Sequence, residues 1–352
     1  RLAHNLLREL QEIDHENTYS ILTNKRYSFV SDAVHASNFT VFPIETKKRA
    51  IWLMLFLPIL LIRLRSDVFF SFHNFGGPGF RTCRSISSLL DTIPLSRPEL
   101  YFGKDSHIRK LVVTATMKHG IATADKIMAI SEFTKQSAVN ELGIDPKKIF
   151  VNYLQADPMF FKQFSSSELE TTRKKYNLPN QFIFTMGASE PRKNVAGLAK
   201  AFELLPASLQ AAFPLIIAGK KWHDRDLNAT PNPEVRLAGF IDDEDLPKVY
   251  QLATVFAFVS KYEGFGMPVL EAMASKTPVI TSNTTSLPEV AGDAAIQVDP
   301  ENTEEILKAL KSLLENETLR AHYVSMGTSQ AAKFSWRATA EKLITILAEK
   351  RN

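Results

Sequence analysis

The stretch Tyr262-Glu263-Gly264-Phe265-Gly266-Met267-Pro268-Val269-Leu270-Glu271-Ala272-Met273-Ala274 decides the fold. It follows the apolar run 255–259, Val-Phe-Ala-Phe-Val, turns through two glycines, and enters a helical pattern with Pro268 near the first position, where a missing N–H costs nothing. Strand, glycine turn and helix in that order form the repeating unit of a parallel α/β sheet. Five more apolar runs, 182–186, 215–218, 235–238, 278–281 and 295–298, flank this one. Six strands of one doubly wound sheet are therefore predicted, with helices over 194–205, 243–251, 268–275 and 303–314.

Strands over 18–23, 68–71, 85–90 and 126–130 repeat the theme in the first half. The polar stretch 157–180, with Ser165-Ser166-Ser167, reads as a linker. A chain of 352 residues predicts two domains at ~100–200 residues each. The expected architecture is α/β, with two Rossmann-like domains facing each other across a central cleft. The first domain takes 1–160 and the second 161–335, and a last helix, 336–352, crosses back to the first. Residue 1 already reads as mid-helix, so the expectation is that a first strand and its glycine turn are missing.

Composition is ordinary for a globular protein, 45% hydrophobic and 23% charged. A net charge of +4 names no nucleic-acid partner, and the lone Cys83 excludes an internal disulfide and points to a reducing, cytoplasmic setting. The apolar segment 50–62 is too short for a spanning helix, which needs ~20 residues. It reads first as a buried helix and second as an interfacial one, because Lys47-Lys48-Arg49 and Arg63-Leu64-Arg65 flank it.

Three strand-to-helix turns carry the chemistry. In the first, Gly187 allows close backbone approach, while Arg192 and Lys193 supply cations that can balance a diphosphate without a metal. In the second, the N–H groups of Phe265, Gly266 and Met267 stand at the positive end of a helix, a site suited to phosphate. The carboxylates Glu263 and Glu271 bracket that turn, and a carboxylate accepts from vicinal hydroxyls such as those of a sugar or a ribose. In the third, Asn283 to Glu289, Ser286 and Glu289 have capping-box spacing. Together the three turns describe a nucleotide-sugar pocket.

With these motifs the chain resembles the family 4 glycosyltransferases, retaining enzymes of the GT-B fold. Glu263 and Glu271 match the family's Glu-x7-Glu, 187–194 its phosphate turn, and Ser286-Leu287-Pro288-Glu289-Val290-Ala291-Gly292 its third donor loop. Ser131 to Lys135 resembles the family's domain-boundary helix start, and Asp91-Thr92-Ile93-Pro94-Leu95 its acceptor-side loop. The resemblance implies that Lys193 and Arg192 neutralise the diphosphate. Glu271 would hold the ribose, and Glu263 would sit by the transferred sugar. Gly187, Gly264, Phe265, Gly266, Met267, Ser286 and Leu287 would line the donor. Asp91 would act with Glu263 and Lys193 on the catalytic side.

The resemblance further implies metal independence and no cofactor, with a UDP-sugar, by preference UDP-glucose, as donor. The acceptor would be a glycan or a lipid-linked sugar in surface polysaccharide assembly, with peripheral contact at the inner membrane face. Two positions depart from the family: Leu90 stands where many relatives have His, and Ala188 where some have Arg. The competing readings are a GT-B sugar-nucleotide epimerase and a non-catalytic nucleotide-sugar-binding protein. No G-x-G-x-x-G follows any strand, which argues against a dinucleotide enzyme.

Overall fold

Among the described residues, six parallel strands make the larger sheet: β7 (Ile183–Met186), β8 (Leu215–Ala218), β9 (Val235–Gly239), β10 (Val255–Phe258), β11 (Val279–Ser282) and β12 (Ile296–Val298). Their order is β12-β11-β10-β7-β8-β9, with every pairing parallel. The computed structural model describes residues 2–24, 33–45, 51–74, 77–102, 107–187, 190–219 and 232–349. Arg1, Lys47, Lys48, Arg49, Ala50, Ala188 and Ser189 lie outside them. All four residues of β8, β10 and β11 are buried, as expected of strands covered on both faces by helices. The helix Thr303–Glu315 shows why these segments fold as they do. Asn302 accepts from the N–H groups of Glu304 and Glu305 at 3.1 and 3.2 Å, and Ile306, Leu310, Leu313 and Leu314 face the core.

The chain divides into two units, Arg1–Leu154 with Ser335–Asn352, and Gln155–Phe334. The change-over precedes the expected position at 160 because the 3-10 turn Pro158–Phe161 is tied into the second unit. Ser275 Oγ donates to Phe160 O at 3.3 Å, and the Phe160 ring lies edge-on to Tyr250 at 5.8 Å.

Among the described residues the first unit holds β1 (Tyr19–Asn24), β2 (Phe39–Ile44), β3 (Val68–Ser71), β4 (Arg84–Leu89), β5 (Lys126–Ala129) and β6 (Ile149–Val151). They form a parallel pair β1-β2 and a parallel sheet β3-β4-β5-β6. Periodicity alone misses β2, which contains Pro43, and β6, which has only three residues. The last helix, Trp336–Ala348, packs on Leu2–Ile13. Thr339 joins it to the strand ends, its carbonyl accepting from Asn152 Nδ2 at 2.9 Å and its hydroxyl donating to Tyr153 O at 2.6 Å. Arg84, 6% exposed, closes the far end by donating to the carbonyls of Ile346, Leu347 and Glu349.

The apolar segment departs from its first reading as a buried helix. It forms a π-helical turn, Trp52–Phe56, and an α-helix, Leu57–Arg63. Leu53, Leu57 and Leu61 are buried with Cys83, while Ile51, Met54, Leu55, Phe56, Ile59 and Ile62 are all exposed, from 41% to 59%. No helix among the described residues is long and apolar enough to cross a membrane.

Candidate active site

The strand order places β7 and β10 side by side, although β8 and β9 lie between them in the chain. From that point the order runs β8, β9 one way and β11, β12 the other, which makes it the topological switch point where open α/β sheets bind ligands beyond the carboxyl ends of their strands. The two turns leaving β7 and β10 are the first two motif turns of the sequence, and the third leaves β11.

In the first turn Gly187 adopts φ +97°. A side chain there would strike the Lys193 stem, since a Cβ would lie 2.6 Å from its Cγ. A 3-10 turn, Pro191–Lys193, presents both cations. Asn194 then enters the helix Val195–Glu203 from the left-handed region, φ +54°, held by its Nδ2 donating to Pro300 O at 2.7 Å.

The second turn is laced to the first. Lys261 N–H donates to Arg192 O at 2.8 Å, and Arg192 Nη1 donates to Tyr262 O at 3.2 Å. Glu263, 6% exposed, closes the arrangement, with Oε1 2.6 Å from Lys193 Nζ and Oε2 2.8 Å from Arg192 Nη1. Arg192 also reaches Glu190 at 2.6 Å, and Lys193 Nζ sits 4.6 Å from the centre of the Phe258 ring. Burial pushes the Glu263 carboxyl up, but the charges of Lys193 and Arg192 outweigh it and hold the group below its ordinary range. The Arg192 guanidinium is lowered by burial and raised more by Glu263 and Glu190. Glu263 is thus an anion at neutral pH and carries no proton to give.

Gly266 has φ +113° and caps the helix Met267–Ala274, where a Cβ would lie 2.7 Å from Leu287 Cδ2. Glu271 falls on the buried side of this helix at 3% exposure, its Oε2 accepting from Tyr250 OH at 3.3 Å. Gly264 and Phe265 form the turn between Glu263 and that cap, and Phe265 packs its ring edge-on against Phe334 at 5.9 Å.

The third turn corrects one expectation. Ser286 does cap the short helix Leu287–Ala291 by position, but its side chain caps nothing, so there is no Ser286/Glu289 capping box. Its backbone is already helical, φ −83° and ψ −7°, and its Oγ lies 2.9 Å from Glu263 O and 2.8 Å from Phe265 O. Thr285, which the sequence did not single out, has φ +60° and accepts the Glu263 N–H on its Oγ1 at 3.3 Å. Nearby, Ser260 Oγ and Thr284 Oγ1 are buried without a hydrogen-bond partner among the described residues.

The structure therefore brings Gly187, Arg192, Lys193 and Glu263 into one cluster, buttressed by Thr285 and Ser286, with Gly266 against Leu287. Asp91 belongs to the first unit. There its Oδ1 accepts the Ile93 N–H at 3.1 Å, and buried Asn74 spans its loop by accepting from Leu90 N–H at 2.5 Å and donating to Asp91 O at 3.2 Å. Sequence reasoning missed Thr285, Phe258, Tyr250 and Glu190. A strand-end aromatic such as Phe258 beside a basic turn was the one readable signal, whereas Thr285 is an unmarked residue in a Ser/Thr-rich loop.

Residues 168–330 match the family model described as "Glycosyl transferases group 1". The chain is 33% identical over 275 residues to O-antigen chain mannosyltransferase B of Escherichia coli, covering 75% of this chain and 71% of that protein. It is 31% identical over 263 residues to the serotype-specific mannosyltransferase WbdA of Escherichia coli, covering 72% of this chain but only 32% of that protein. Among solved structures it resembles Anabaena HepE in complex with UDP-glucose, with a TM-score of 0.75 at 15% identity over 99% of this chain and 95% of that one. It also resembles WaaG, described as a glycosyltransferase involved in lipopolysaccharide biosynthesis, with a TM-score of 0.69 at 16% identity over 95% of this chain and 100% of that one. These likenesses give the two-domain GT-B fold.

Proposed function

The chain belongs to the group 1 glycosyl transferases, and from that premise we propose that it moves a mannosyl residue from a nucleoside-diphosphate donor to a growing surface polysaccharide, with retention at the anomeric carbon and without a divalent metal. The observation that carries this reading is the Lys193–Glu263–Arg192 cluster at the switch point of the second sheet. In the transfer the donor C1–O bond breaks and its electron pair leaves with the diphosphate, while an acceptor oxygen bonds to C1 and its proton passes to the departing diphosphate oxygen. Charge collects on the leaving phosphate, where Lys193 and Arg192 stand fixed beforehand. The Glu263 carboxylate faces the opposite charge that grows at C1. Glu271 is the candidate partner of the ribose hydroxyls, and Asp91 of the acceptor.

The sequence relatives move the preferred sugar from glucose to mannose. The HepE complex keeps UDP-glucose as the second donor to test. The experiment is nucleoside-diphosphate release from GDP-mannose and from UDP-glucose, with a short mannan or a lipid-linked sugar as acceptor, in buffer containing EDTA. Proton NMR of the product then reads the anomeric configuration. Release that requires acceptor and survives EDTA is expected. Tight donor binding without turnover would favour the binding-protein reading, and conversion of the donor alone to an epimer would favour the epimerase.

One observation in the first unit bears on where the acceptor is met. The exposed side chains Ile51, Met54, Leu55, Phe56, Ile59 and Ile62 lie along one segment, and 46–66 contains five basic residues and no acidic one. A basic-flanked apolar helix face fits an anionic bilayer surface. Sedimentation with phosphatidylglycerol vesicles, and its loss in Leu55→Ser/Phe56→Ser, is the expected result. Equal binding to phosphatidylcholine vesicles would remove the electrostatic part.

A further inference from the structure

We propose that Thr285 and Ser286 are positioning residues for the transfer, holding the Glu263 peptide from both sides so that its carboxylate keeps its place when the donor takes over its cations. The inference rests on the role proposed for Glu263 and adds to it how that residue is held. Both hydroxyls act through the Glu263 backbone.

The geometry is specific. Thr285 Oγ1 receives the Glu263 N–H at 3.3 Å, and the fully buried Ser286 Oγ stands within hydrogen-bond distance of the carbonyls of Glu263 and of Phe265, at 2.9 and 2.8 Å. Two consecutive residues of the β11 turn therefore engage the N–H and the C=O of one residue in the β10 turn. Thr285 does so from φ +60°, a conformation that β-branched residues rarely adopt. Strain of this kind persists only where the surroundings fix it, and it gathers at functional sites.

The physical need for such a clamp follows from the charges. In the structure the Glu263 carboxylate is placed by two ion pairs, with Lys193 and Arg192. A diphosphate is an anion that draws on those same two cations, so its arrival loosens the contacts that orient Glu263. Hydrogen bonds to the peptide are neutral and do not compete with the ligand. They preserve the carboxylate's position at the moment when its ionic partners are shared, which is when a preorganised charge contributes most to the rate.

The test uses the full chain and whichever of GDP-mannose and UDP-glucose the wild type consumes. Thr285→Val keeps the shape and the β-branch but removes the acceptor. A fall in kcat of about tenfold is expected, with KM for the donor changed less than threefold and the thermal midpoint nearly unchanged, as for a group that acts mainly in the transition state. The acid limb of kcat should move to higher pH, since a buried carboxylate released from its cations becomes easier to protonate. Thr285→Ser should restore both rate and profile. Ser286→Ala should repeat the kcat loss.

A wild type that consumes neither donor would remove the functional reading itself. An active wild type whose Thr285→Val variant keeps its kcat and pH profile would overturn the clamp alone. Equal losses in Thr285→Val and Thr285→Ser would also overturn it, by assigning the effect to the backbone instead of the hydroxyl.

Discussion

Glu263 lies between two cations, and its substitution separates charge from shape. Glu263→Gln is nearly isosteric and leaves Lys193 and Arg192 to bind diphosphate. Turnover should fall by about 100-fold or more, as when one preorganised electrostatic group is lost, while titration calorimetry still detects the donor. The pH dependence has a definite sign. The folded carboxyl is held below its ordinary value of 4.5, so the stability it contributes is fully present above pH 4.5 and is lost only as pH falls through the lower folded value. In the free enzyme Glu263 protonation should therefore cost nothing between pH 7 and pH 5, and a kcat/KM profile measured over that range checks it. Gly266→Ala tests the backbone. It places a Cβ 2.7 Å from Leu287 Cδ2 at φ +113°, so a loss of about 1–3 kcal/mol is expected, visible as a lowered thermal midpoint. These positions were legible in the sequence because glycines beside carboxylates at strand-to-helix turns mark places where backbone and charge can both approach a ligand. Ser286 was legible as to place and misread as to partner, since hydroxyls hydrogen-bond to whichever backbone group the tertiary fold brings near.

Elements are held to one another by contacts that pattern reading does not reveal. The helices Ser166–Lys175 and Leu246–Leu252 meet through a charge cluster, in which Lys175 Nζ lies 2.7 Å from both Asp242 and Asp245, and Lys248 Nζ 2.8 Å from Asp245. Burial raises the Asp245 carboxyl, and hydrogen bonds from Lys175, Lys248 and Tyr176 bring it down to about 2. Its contribution is complete above the unfolded value near 3.8 and disappears as pH falls from there to about 2. Asp245→Asn should cost about 1 kcal/mol at neutral pH, the scale of an ion-pair network whose outer members, Lys175 and Asp242, are exposed, and that difference should vanish in denaturant melts near pH 2. The six strands described in the second sheet were readable because each is a short, mostly apolar run between turn residues, interrupted by a charged or amide side chain only at Arg236 and Gln297. The first unit was less so. Pro43 disguises β2, β6 is too short to show alternation, and the segment from Ile51 to Ile62 has an apolar composition that cannot distinguish a buried face from an exposed one.

At the scale of the molecule, the first unit is built from two separated parts of the chain, residues 1–154 and 335–352. Arg84 joins them by spreading one buried guanidinium over three carbonyls at the end of the last helix, where a cation also complements the helix dipole. Arg84→Met should destabilise the first unit by about 1.5–3 kcal/mol, since hydrogen bonds from a charged donor to three helix-end carbonyls are lost. Hydrogen exchange on the full chain should show the loss in β4 and in Trp336–Ala348, with β7, β10 and β11 unchanged. The same division sets an order of events during synthesis. Every residue of the second unit, 155–334, has been made before the ribosome adds the stretch that completes the first. At about 5–20 residues per second, the half that carries Lys193 and Glu263 has a head start in folding, and the half that began to be made first must wait for the final helix to emerge.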